Sequence, residues 1–197
     1  MWSAAILAGG QARRFGRRDK GALLVDGRPI LDRQIAELSQ VAADILIVGG
    51  LHVHRSLSPA RLIADRVPGC GPLGGLHAAL SEATGDAVIV IACDMPYVSA
   101  PFLAHLLALT TGADAVVPRT ERGYHPLCAA YTRACLAPAA ARLADRRLKL
   151  IDLFEDVRVR VVTAEEIDAF GSHDRLLANV NTPGEYRGLT NVQGHQP

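Results

Sequence analysis

Apolar and polar positions fall in blocks along this chain, and the blocks predict its elements. "SAAILA" is an apolar run of strand length that stops at Gly9–Gly10. In "GRPILDRQIAELSQ", Ile30, Leu31, Ile35 and Leu38 recur at helical spacing, with Pro29 suited to a first turn. "DILIVGG" and "RLIAD" are short β-rich runs, each closed by glycine or a charge. "GPLGGLHAALSEATG" predicts a turn entering a helix that ends at Gly85. "DAVIVIACD" is apolar at odd and even positions alike, the pattern of a central parallel strand covered on both faces. Ser99 reads as an N-cap, with Pro101 in the first turn of "APFLAHLLALT".

After residue 112 the rhythm loosens. "DAVVP", "HPLCAAY" and "RVRVVTA" read as strands, and "ACLAPAAARLADRRLKLIDLFED" as helix broken near Pro138. The alternation predicts an α/β fold, a three-layer sandwich around a mostly parallel, Rossmann-like sheet. The expected organisation is one domain over residues 1–190, with 191–197 a frayed tail. Ligands of such sheets bind beyond the carboxyl ends of the strands. Three polar features fall there: the first glycine loop, Asp65 after "RLIA", and Asp94 after "AVIVIAC".

Composition narrows the chemistry. With 197 residues, 49% hydrophobic and 21% charged, the chain can bury a core and is not a disordered polymer. Aromatics at 5% and a net charge of +1 argue against a general nucleic-acid binder. Yet Arg13, Arg14, Arg17, Arg18 and Lys20 crowd one short stretch, so the positive charge is local and points to a small anion. Cys70, Cys93, Cys128 and Cys135 form no C-x-x-C pair and no zinc spacing with histidine, so free thiols in a reducing compartment are expected. The chain opens on no signal-peptide pattern, and its longest apolar run is far below the ~20 residues of a membrane helix. A cytoplasmic protein is expected.

In "LAGGQARRFGRRDK" two adjacent glycines let the backbone turn sharply and offer N–H groups to phosphate oxygens, while arginine and lysine add full charges. Read alone, Gly9–Gly10 is also compatible with a tight strand-to-helix turn carrying a solvated basic face. The stretch is neither a Walker loop nor a dinucleotide fingerprint, since Lys20 precedes Gly21 and the glycines are adjacent. It resembles the L-x-G-G-x-x-x-R-x-G-x-x-K signature of nucleotidyltransferases that activate a phosphorylated acceptor. Leu7, Gly9, Gly10, Arg14, Gly16 and Lys20 fall on it, with Phe15 where methionine is usual. The "LAGG" form is similar to that of the molybdenum cofactor guanylyltransferases.

Three further segments carry the same resemblance in the same order. Gly71, Pro72, Leu73 and Gly75 resemble the family's G-P-L-x-G segment beside the base. Asp65, just upstream, matches its guanine-site aspartate; as an isolated residue it reads as a strand-end cap. Asp94, in a C-D-x-P context, matches the metal-binding aspartate, and a carboxylate at the end of a buried strand needs a cation or hydrogen bonds. Asn179 and Asn181 resemble the N-x-N-T-P motif, and alternate residues of an extended segment face one way. One departure is Val48–Gly49–Gly50, where the family often has an asparagine.

The resemblance implies the nucleotide-diphospho-sugar transferase type of fold. It also implies transfer of GMP from GTP to the terminal phosphate of Mo-molybdopterin, giving molybdopterin guanine dinucleotide and pyrophosphate. Arg14, Lys20 and Asp94 become the catalytic set, with Asp94 holding Mg²⁺. Leu7, Ala8, Gly9, Gly10, Lys20, Asp65, Gly71, Pro72, Leu73 and Asp94 become the GTP site, and Asn179 and Asn181 help to hold the molybdopterin side or the bound nucleotide. GTP and Mo-molybdopterin are the implied small-molecule partners, with a molybdoenzyme or chaperone receiving the product, and no nucleic acid or membrane. Alternatives are a molybdopterin cytidylyltransferase, another nucleotidyltransferase, or a non-catalytic carrier of nucleotide or molybdopterin. Outside these motifs, Arg119, Arg122 and His125 read as a solvated loop within reach of an anionic acceptor. Arg142, Arg146, Arg147 and Lys149 read as a wet helix face that a phosphate-bearing pterin could use.

Overall fold

The structure is a computed structural model that describes residues 1–8, 23–49, 58–65, 67 and 69–180. β1 (Trp2–Leu7) is followed by a hairpin of β2 (Leu24–Val25) and β3 (Arg28–Pro29), then α1 (Ile30–Leu38), β4 (Asp44–Val48) and β5 (Arg61–Ile63). Next come α2 (Gly71–Glu82), β6 (Ala87–Ala92) and α3 (Ala100–Ala108). The second half holds β7 (Ala115–Thr120), β8 (Gly123–Tyr124), β9 (Cys128–Thr132), α4 (Leu136–Ala144), β10 (Val159–Val162), α5 (Ala164–Asp168) and α6 (His173–Leu176). The main sheet runs β10-β7-β9-β6-β1-β4-β5, with β8 paired to β7. Among the described strands, only β8 and β9 pair antiparallel to their neighbours in it.

Strand alternation explains the three layers. Ala4, Ile6, Ile89 and Ile91 pack under Leu31, Leu38, Phe102 and Leu106 of α1 and α3. Their neighbours Ala5, Leu7, Val88 and Val90 pack on the other face, under Leu73, Leu76 and Leu143 of α2 and α4. Every residue of β6 is buried, as its unbroken apolar run requires. Leu7 stands opposite Val48 on one side and Ala92 on the other. The chain moves outward from β1 through β4 to β5, then returns to lay β6 on the far side of β1. That reversal opens a crevice at the carboxyl edge of β1 and β6.

Several local expectations are corrected. The fourth helix runs through Pro138, which is its third residue; a proline in the first turn forfeits no intrahelical bond. The break comes after Ala144, where Arg146 takes φ +58°, and a 3₁₀ turn follows over Leu150–Glu155. Arg142 is not on a wet face. Its side chain is 2% exposed, with Nε 2.5 Å from Asp156 and Nη2 3.1 Å from Glu155. Asp156, the nearer carboxylate, chiefly holds the guanidinium above its ordinary pKa. Arg146, Arg147 and Lys149 are exposed, as expected. α2 stops at Glu82 rather than Gly85, whose role lies elsewhere: a Cβ there would sit 2.7 Å from Met1 O and Ser3 N. Ser99 occupies the N-cap position, but the acceptor for the Ala100 N–H is the Glu37 carboxylate at 2.7 Å. Cys70, Cys93, Cys128 and Cys135 form no disulfide, and burial pushes the Cys128 and Cys135 thiols up to about 12.

At the amino edge of the sheet, Asp44 gathers Arg61 Nε (3.0 Å), the Thr84 amide (3.0 Å) and the Ser3 hydroxyl (3.0 Å). Burial alone would raise this carboxyl, yet Arg61, Thr84 and Ser3 together hold it below its ordinary value. A depressed carboxyl stabilises the fold above the unfolded-state pKa, and that contribution is lost as pH falls through the folded-state value. Asp44→Ala is therefore expected to cost about 2 kcal/mol in urea unfolding at neutral pH. The difference from the unsubstituted chain should shrink below about pH 4. Equal midpoints at neutral pH would refute this.

Candidate active site

Three backbone hydrogen bonds carry the ladder one residue past the strands. Ala8 N–H donates to Val48 O at 2.9 Å, Cys93 N–H to Leu7 O at 3.3 Å, and Gly49 N–H to Ile63 O at 3.1 Å. Ala8, Gly49 and the Cys93–Asp94 pair thus leave the sheet side by side. Gly49 takes φ +78° here, so the Val48–Gly49 departure lies at this edge, while Gly50 is outside the described residues.

α2 begins at the same edge, and its glycines set how closely it approaches. A Cβ on Gly75 would meet Leu7 Cδ1 at 3.2 Å, and one on Gly74 would meet Asp65 Oδ1 at 3.3 Å. The G-P-L-G-G run therefore seats the helix start against the end of β1 and against Asp65. Asp65 is half-buried and accepts the Val67 N–H at 3.1 Å, so it does cap the strand end. Leu7 and Leu73 are core residues of one apolar cluster, and what they can offer a ligand is backbone.

Asp94 lies two residues beyond β6, half-buried, with Oδ1 shielded from solvent. Its carbonyl accepts the Val180 N–H at 2.8 Å. Val180 is fully buried against Val25 and Ile30, with Tyr97 packed beside them, and Asn179 next to it is exposed. The far end of the chain is thereby pinned to the turn that carries Asp94. The motifs around Leu7, Asp65, Gly71, Asp94 and Asn179, spread over more than 170 residues, meet at one sheet edge. Gly9, Gly10, Arg14, Lys20 and Asn181 lie outside the described residues.

The structure adds residues that the motifs did not reveal. Gln34 of α1 is fully buried and donates Nε2 to Ala92 O (2.8 Å) and Met95 O (2.9 Å), bracketing Asp94. Its signal was present: a polar residue inside the apolar stripe of Ile30, Leu31, Ile35 and Leu38. Arg33 donates Nε to Pro96 O (3.2 Å) and Nη1 to Val25 O (3.3 Å), and lies 3.5 Å from Asp26. Tyr97 sits between two guanidinium groups, Arg175 at 4.4 Å and Arg33 at 5.7 Å from its ring centroid. Burial, then Asp26, hold the Tyr97 phenol above its ordinary pKa, against the two arginines. The hairpin that carries Asp26 announces itself as Asp26–Gly27 between short strands.

The "RTERGYHPL" loop is less suited to an anion than its cations imply. Arg119 stacks on Tyr124 at 5.1 Å, and Arg122 pairs with Asp174 at 3.2 Å. The cavity beside His125 and His173 is about 10 Å³, the space of a water. Burial, aided by Arg122 and His173, keeps the His125 imidazole below its ordinary pKa. Among the described residues no three histidine, cysteine or acidic side chains group as metal ligands, and no helix is long and apolar enough to cross a membrane.

A mostly parallel sheet with an acidic strand end, a glycine-entered helix and a returning C-terminal segment at one edge defines an α/β nucleotidyltransferase architecture. A family model described as the MobA-like NTP transferase domain matches residues 4–160. A probable molybdenum cofactor guanylyltransferase of Pelotomaculum thermopropionicum is 35% identical, over 93% of this chain and 89% of its own. The molybdenum cofactor guanylyltransferase of Desulfosudis oleivorans is 31% identical, over 91% of this chain and 90% of its own. The crystal structure of molybdopterin-guanine dinucleotide biosynthesis protein A from Archaeoglobus fulgidus superposes with a TM-score of 0.81 at 25% identity, covering 95% of this chain and 96% of its own. The chain belongs to the MobA-like NTP transferase family.

Proposed function

We propose that this chain transfers GMP from GTP to the terminal phosphate of Mo-molybdopterin, releasing pyrophosphate and forming molybdopterin guanine dinucleotide. The observation that carries the reading is the convergence of Asp65, the Gly71–Leu73 helix start, Asp94 and Asn179 at one sheet edge. The acceptor phosphate is already anionic and needs little base catalysis, so the task is to hold two polyanions in line and relieve their repulsion. Arg14 and Lys20 bear on the triphosphate beside the Gly9 and Gly10 amides. Asp65 reads guanine with the carboxylate oxygen that Val67 does not use. Asn179 and Asn181 hold the molybdopterin side.

Mg²⁺ fits the residues present. It favours one or two carboxylates together with phosphate oxygens and water, and Asp94 at a strand end supplies one such carboxylate. When bound, the ion neutralises charge on the phosphates. Gln34 and the Val180 amide fix the turn from which Asp94 would hold it.

The test is turnover with purified molybdopterin and GTP, CTP, ATP and UTP in competition. GTP should be consumed with stoichiometric pyrophosphate, chelation should abolish turnover, and added Mg²⁺ should restore it. Preference for CTP would make the chain a cytidylyltransferase, and nucleotide binding without pyrophosphate release would make it a carrier.

A further inference from the structure

We propose that Arg175, stacked on Tyr97, binds the phosphate monoester of the acceptor, an inference that rests on the guanylyltransferase reading above. Arg175 belongs to α6, and Tyr97 follows Asp94 by three residues. Two cations share the Tyr97 ring, and they differ in what they have left to give. Arg33 is committed, donating to Pro96 O and Val25 O and facing Asp26. Arg175 is exposed and has no carboxylate within ion-pair distance among the described residues. At 4.4 Å from the ring centroid, its guanidinium uses the π-face for support. A guanidinium held over a ring keeps N–H donors for a phosphate, already oriented before the ligand arrives.

The position suits the acceptor rather than the nucleotide. Leu176 and Leu177, next to Arg175, pack on the face of the sheet covered by α1 and α3. The helix start seated on Asp65 packs on the opposite face, through Cys70 and Leu73. From Arg175 the chain runs through Asn179 to Val180, whose amide binds the Asp94 carbonyl. The cation thus stands on the Asn179 side of Asp94, the side proposed for molybdopterin, while Arg14 and Lys20 are the cations proposed for the triphosphate. Two polyanions that must be brought together each receive their own positive charge. Tyr97 is then a positioning residue, acting through Arg175.

The experiment reads molybdopterin binding by pterin fluorescence without nucleotide, so it does not depend on turnover. Arg175→Met should weaken molybdopterin binding about 10-fold or more, with GTP affinity and unfolding midpoint unchanged. The unsubstituted chain should lose a comparable factor toward dephosphorylated molybdopterin, to which Arg175→Met should be indifferent. Tyr97→Leu should reproduce the loss, and Tyr97→Phe should not, because the ring face remains. Unaltered molybdopterin binding by Arg175→Met overturns the inference. So does a loss that is the same with and without the terminal phosphate, or an equal fall in GTP affinity with a lower midpoint. If the unsubstituted chain binds molybdopterin in this phosphate-dependent way yet releases no pyrophosphate from GTP, the guanylyltransferase reading fails and the Arg175 contact stands.

Discussion

Asp94→Asn is expected to leave the fold intact and lower turnover about 10³-fold. The substitution keeps the side chain's volume, removes its charge and turns one acceptor into a donor. Two features hold the turn independently of that charge: Val180 N–H binds the backbone carbonyl, and Gln34 binds Ala92 O and Met95 O. A neutral amide would hold a divalent cation far less well than the carboxylate, and charge on the phosphates would then be less well neutralised. Metal-free GTP affinity should change by less than about 3-fold, because the cations and amides proposed to bind the triphosphate are untouched. Circular dichroism and urea unfolding check the fold, and single-turnover pyrophosphate release checks the step. Unimpaired release with Mg²⁺ present would falsify the metal role of Asp94.

How far these residues could be read from the sequence depended on whether their signal was local. β6 was legible because a strand covered on both faces must be apolar throughout, and "AVIVIA" is. Asp94 stands out in the sequence because a carboxylate just past such a strand requires an explanation, and the structure places it at the carboxyl edge of the sheet. The ion pairs of Arg142 leave no local signal, because α4 alone shows no carboxylate opposite it; Glu155 ends the 3₁₀ turn that follows and Asp156 comes just after it. Pro138 was misread because its effect depends on where the helix starts, and a shift of two residues turns a breaker into a first-turn residue. Tyr97 and Arg175 are 78 positions apart, and no periodicity links them. They meet because Val180 is buried beside Tyr97, a tertiary fact. The Gly74–Gly75 pair lies between these cases: motif resemblance marked the segment, but the contacts with Asp65 and Leu7 supply the reason for it.

Asp65→Asn is expected to cut the preference for GTP over competing nucleotides about 100-fold and to raise use of XTP. A carboxylate presents two acceptors, and guanine offers two donors, N1–H and the exocyclic amine. One Asp65 oxygen already takes the Val67 N–H, and an asparagine carbonyl can still do so. The loop therefore keeps its shape while the other position changes from acceptor to donor. A donor aimed at the guanine amine leaves both N–H groups unpaired, which is costlier than simply losing a bond. Xanthine carries a carbonyl where guanine carries that amine, so the same change makes a partner of it. Asp65→Ala also deletes the Val67 contact, and it should lower affinity for every nucleotide in addition to losing discrimination. Turnover with GTP, XTP and ATP in pairwise competition separates these outcomes. If Asp65→Asn keeps its GTP preference and gains nothing with XTP, Asp65 is a strand-end cap and the base is read elsewhere.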